Sequence, residues 1–208
     1  MDALEQLLEA ADLSDRLQLA GAAVLVLLAG RGEAGDAAAR IGAELRNRGW
    51  RGDEDLADEI DVAMAGRRRA LRPVPVDLGE LADFAGGGVD GGDALLDLET
   101  GRVWPAAVLD DPGVEVPDVE EDQARWLVVP PTASREGWRD MRDFAESLNG
   151  PVRESMLNAI EGRGAFSRFR RALDLSGEDV LDSWLAFREE RRLGRARAWL
   201  AAEGYTPA

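Results

Sequence analysis

No cysteine, histidine or lysine occurs in this chain of 208 residues. Without cysteine there is neither a disulfide framework nor a thiolate metal site, which fits a reducing compartment and makes the cytoplasm the expected location. Without histidine there is no Ser-His-Asp triad, no Cys-His dyad, no imidazole general base and no histidine-held zinc or non-haem iron. Without lysine there is no amine base and no Schiff-base chemistry. All 25 basic side chains are arginines, which keep their charge and offer a planar fork to carboxylates or phosphates. Long apolar runs are also missing. The longest, Leu19 to Ala29, has 11 residues, against about 20 for a bilayer span, and no basic region precedes it. It reads as a buried helix, and no membrane association is expected.

Charge, by contrast, is plentiful and one-sided: 41 acids against 25 arginines give a net −16. The excess is local. Residues 1–75 carry 14 acids and 10 arginines, residues 76–123 carry 14 acids and only Arg102, and residues 124–208 carry 13 acids and 14 arginines. The middle segment repels nucleic acid and attracts basic partners, or serves as a solvated surface that keeps the chain dispersed.

The apolar pattern predicts a mainly helical α+β protein in two modules. Residues 1–75 read as a helical module. Its first helix carries Leu4, Leu7, Leu8 and Ala11, and its second is capped by Ser14 or Asp15 and closed by Gly30-Arg31-Gly32. A third carries Ala37, Ala38, Ile41 and Leu45, and a fourth, capped by Asp53, carries Leu56, Ile60 and Met64. Pro73 and Pro75 break the pattern and set the boundary. Residues 76–208 read as an α+β module. Asp77 caps a short helix with Leu78, Leu81 and Phe84. A small antiparallel β meander follows over about 94–129: Ala94–Leu98 and Arg102–Val108 flank a Glu99-Thr100-Gly101 turn, and Arg125–Val129 is the third strand. Pro105 belongs at a sheet edge, and residues 109–122 form an acidic loop. The C-terminal helices, over about 135–203, begin with Trp138, Met141, Phe144, Ala145 and Leu148 on one face. Val152, Met156 and Ile160 carry the next helix, Phe166, Phe169 and Leu173 another. A long last helix, capped by Ser176, carries Val180, Trp184, Phe187 and Trp199 as core.

Few constellations carry chemistry. Asp90, Asp93, Asp97 and Glu99 lie together but lack the order of an EF-hand and read as a solvated loop. The glycine-rich run Gly86–Gly92 lacks the lysine and hydroxyl of a P-loop. One turn stands out. Gly162-Arg163-Gly164 opens a helix whose free N–H groups favour anions, and Arg168, Arg170 and Arg171 follow, so Arg163, Gly164, Arg168, Arg170 and Arg171 are the candidate anion or partner site. The competing and favoured reading makes the turn a hinge that seats both Phe166 and Phe169 in the core. No catalytic set, metal site or cofactor is expected.

From Leu78 onward the chain resembles the bacterial uncharacterised protein family 0158. The resemblance is carried by the Leu78–Phe84 helix, Leu96-Asp97-Leu98-Glu99-Thr100-Gly101, Met141-Arg142-Asp143-Phe144, Gly162-Arg163-Gly164-Ala165-Phe166, Trp184 with Ala186-Phe187-Arg188, and Ala198-Trp199-Leu200. It departs at Leu185, where an aromatic often follows the tryptophan, and at Ser167, where a basic residue is common. The resemblance implies a shared fold over about residues 76–205 and supplies no mechanism.

These readings leave three function classes. The leading one is a non-enzymatic protein-interaction or regulatory protein with a basic partner. The others are a carboxylate-only metal-dependent hydrolase and a nucleic-acid or ribonucleoprotein binder using the C-terminal arginines, which the overall charge opposes.

Overall fold

The structure, a computed structural model, describes residues 8, 13–30, 35–67, 70–86, 93–108, 119 and 122–208. The expected helix of Leu4, Leu7 and Ala11, the glycine run from Gly87 to Gly92 with Asp90, and nearly all of the acidic loop at 109–122 lie outside the described residues. The architecture is the mainly helical α+β fold expected. Among the described residues the helices are α1 (Leu17–Ala29), α2 (Gly35–Arg48), α3 (Asp53–Met64), α4 (Leu78–Ala85), α5 (Ser134–Ser147), α6 (Gly150–Ala159), α7 (Ala165–Leu175) and α8 (Glu178–Ala202). The strands are β1 (Arg72–Val74), β2 (Ala94–Asp97), β3 (Val103–Pro105), β4 (Trp126–Val129) and β5 (Tyr205–Pro207). The chain forms two compact units, Met1–Pro131 with Arg192–Ala208, and Thr132–Arg191.

In the first unit, α1, α2 and α3 bury the stripes that their spacing announces, with Val24, Ile41, Leu45, Leu56 and Ile60 fully inaccessible. A second core gathers Val74, Leu81, Leu96, Val103, Val129, Leu193 and Leu200 from the strands, α4 and the end of α8. The antiparallel sheet has the order β3-β2-β4, so β4 pairs with β2 and leaves β3, with Pro105, at an edge as its missing N–H requires. The sequence gives no warning of the second sheet: β1 runs parallel to β5, Arg72 opposite Tyr205 and Val74 opposite Pro207. Of the two prolines at the expected boundary, Pro73 lies in the paired strand β1 and Pro75 just after it.

A buried polar network runs between the two cores. Asp53 does not cap α3; Gly52 is the N-cap, in the left-handed region at φ 85°, and the Asp53 carboxylate accepts from Trp50 N at 2.9 Å, Gln18 Nε2 at 2.9 Å and Arg48 Nη2 at 2.8 Å. From α8, Arg197 donates to Gln18 Oε1 at 3.1 Å and to Glu59 Oε2 at 3.1 Å, and the Thr206 hydroxyl donates to Glu59 Oε1 at 2.7 Å. Backbone contact brings the same elements together. A Cβ on Gly52 would stand 2.0 Å from the Gly194 carbonyl oxygen, and one on Gly194 2.3 Å from that of Arg51, which explains a glycine in the middle of a long helix.

Three further local readings are corrected. α1 starts after Arg16 with no side-chain cap, so neither Ser14 nor Asp15 serves. Ser176 ends α7 instead of opening α8: its hydroxyl donates to the Ala172 carbonyl at 2.7 Å, and Gly177, at φ 95°, turns the chain. Asp97 is not a solvated loop residue. It is buried at the β2–β3 turn, where Thr100 Oγ1 donates to it at 2.7 Å, Glu99 N at 3.0 Å, and Arg125 through Nε and Nη2 at 2.7 Å each.

Burial alone raises the Asp97 pKa, but the hydrogen bonds from Arg125, Thr100 and Glu99, with the Arg125 charge, outweigh that and lower it to about 2. The folded value is below the unfolded one. The stability that Asp97 contributes is therefore complete above about pH 4 and is lost as pH falls through about 2. Thermal unfolding followed from pH 7 to pH 2 should show a shallower acid decline for Asp97→Asn than for the parent, from a lower starting point. Equal slopes would contradict the assignment.

Candidate functional site

The second unit, α5 to α7 and α8 as far as Arg191, is organised around one indole. Trp184 meets Phe144 edge-on at 5.2 Å between ring centroids and Phe169 edge-on at 4.9 Å, and stacks with Phe187 at 6.0 Å. Arg191, midway along α8, ties this helix to α5 by donating to Asp140 and Asp143, at 3.0 Å each. The Trp138 indole donates to the Ile160 carbonyl at 3.2 Å.

Helix α7 decides what remains open. Its buried stripe is Ala165, Phe169 and Leu173, spaced by four. Phe166 lies one helical step, about 100°, away from that stripe and is not in the core; it is 52% exposed. The expected seating of both phenylalanines is thus half right: Phe169 is buried and Phe166 is not. Phe166 rests instead over the bare backbone of Gly137 in α5, where an added Cβ would come within 3.3 Å of its ring.

Beside Phe166 opens a groove of about 210 Å³. Its floor is Met141, Phe169, Leu173, Leu181 and Trp184, its lips are Phe166 and Leu185, and Arg170, Arg188 and Asp174 complete the lining. Two helix faces build it: Phe166, Arg170 and Asp174 recur every fourth residue on α7, and Leu181, Leu185 and Arg188 follow a three-to-four spacing on α8. Leu185 is 46% exposed, and Leu175, at the end of α7, is 82% exposed.

The structure separates the five candidate site residues. Gly164 is the left-handed N-cap of α7, at φ 77°. Arg168 turns back to donate to the carbonyls of Ala159, Arg163 and Glu161, so its head holds the turn together. Arg163 and Arg171 are exposed and do not line the groove. Arg170 does, and it is joined by Arg188 from α8. Leu185 was missed as a site residue, because nothing in its local pattern marks a helix position left uncovered.

Among the described residues no three carboxylates stand together as metal ligands, and the groove lining holds only Asp174. Nor is any helix there long and apolar enough to cross a membrane. What the second unit offers is a helical scaffold with an apolar slot edged by arginine. The chain belongs to the uncharacterised protein family UPF0158, whose model matches residues 71–208. The match covers all of the second unit, and the expected resemblance from Leu78 onward extends a little further towards the N-terminus. No curated protein and no solved structure matches the chain.

Proposed function

We propose that this is a non-enzymatic interaction protein that docks a partner protein in the groove of the Thr132–Arg191 unit. The observation that carries this reading is the exposed pair Phe166 and Leu185 flanking a floor of Phe169 and Trp184. Both side chains line the groove and are about half exposed, so an apolar side chain seated between them would remove their surface from water. Size supports a protein ligand: about 210 Å³ falls below the roughly 300–1,000 Å³ of small-molecule sites and suits one anchoring side chain. The lack of cysteine supports a place in the cytoplasm.

Photo-crosslinking in the source cells tests the proposal. Benzoylphenylalanine placed at Leu185 should give a discrete adduct whose partner is identified by mass spectrometry, whereas the same group at Ser155, exposed on α6, should not. The same mixture from both positions, or no adduct from either, would reject it.

A further inference from the structure

We infer that the groove's ligand is an acidic segment of another protein, in which one large apolar side chain is flanked by carboxylates. The inference rests on the docking role proposed above and goes on to name the chemistry of the partner.

Of the ten arginines in this unit, four have described partners. Arg168 is bonded to three carbonyls, Arg191 to Asp140 and Asp143, Arg142 to Glu146, and Arg153 to the Glu146 carbonyl. Among the described residues the side chains of Arg135, Arg139, Arg163, Arg170, Arg171 and Arg188 make no hydrogen bond, ion pair or ring contact, and of these only Arg170 and Arg188 line the groove. Asp174 is the lone carboxylate of the lining, so the slot carries two positive charges against one negative on a chain whose net charge is −16. A guanidinium beside an apolar surface gains most from a carboxylate, which it grips through two parallel N–H bonds in a setting drier than bulk water. A basic ligand would instead bring like charge against both forks. The floor selects the anchor: edge-on indole and phenyl rings with Leu173 and Leu181 accept a leucine, phenylalanine or tryptophan side chain.

The experiment is a selection from a random dodecapeptide phage library on the immobilised full chain, followed by fluorescence anisotropy with the enriched peptides. Enriched peptides should be net acidic and should share one large apolar residue. Arg170→Glu with Arg188→Glu should weaken their binding at least about tenfold, Arg170→Gln with Arg188→Gln less, and Arg163→Glu with Arg171→Glu, an equal change of charge outside the groove, by under about twofold. Rising salt should weaken binding throughout. Neutral, basic or phosphate-dependent peptides that still lose binding on Phe166→Ala with Leu185→Ala would overturn the inference and leave the docking role standing. Acidic peptides indifferent to that apolar double change, or no enrichment at all, would overturn both. Equal losses from the two arginine-to-glutamate pairs would reduce the effect to overall charge and overturn the inference.

Discussion

Arg197→Ala should lower folding stability by about 3–5 kcal/mol, the range for removing one partner of a buried ion pair. Arg197 is 3% exposed and faces Glu59 at 6%, so truncation strands a carboxylate whose remaining described partner is the Thr206 hydroxyl. The same change leaves Gln18 Oε1 without its Arg197 donor. A fall in the urea midpoint at unchanged slope measures the effect. Arg197→Met combined with Glu59→Leu should recover most of it, because a buried pair replaced by apolar groups removes the stranded charge together with the attraction. A loss under about 1 kcal/mol for Arg197→Ala would mean that the network does not join the N-terminal helices to the end of the chain.

Phe169→Ala is the second large effect, also about 3–5 kcal/mol, since the ring is 2% exposed and packs edge-on against Trp184. Phe166→Ala, three residues earlier, should cost under about 1 kcal/mol, because half of its ring already lies in water. This contrast is the stability signature of a groove lip beside a core residue. Comparable losses at both positions would place Phe166 in the core and close the groove.

Much of the fold was legible where one apolar stripe dominates a helix. Leu56 and Ile60 in α3, Leu81 in α4, and Met141, Phe144 and Ala145 in α5 are buried as their spacing requires. The β1–β5 pair was not legible. Each strand has three residues and contains a proline, too short for alternation to show, and the partners are 133 positions apart. Phe166 was misread for a different reason. Phe166 and Phe169 both stand at helical spacing to Leu173, and only the small Ala165, a weak apolar signal, settles which stripe turns inward. Gly137, the residue that receives the Phe166 ring, lies on another helix, so no pattern within α7 could reveal it. Arg170 was legible as a candidate, but its companion Arg188 comes from α8, and only the tertiary packing brings the two to one slot.

The docking role is tested most directly by the yield of the Leu185 crosslink in a Phe166→Ala background, measured at a temperature where both proteins are fully folded. The proposal expects the partner adduct to fall severalfold while the unfolding midpoint hardly moves. An unchanged adduct in the folded variant would contradict it.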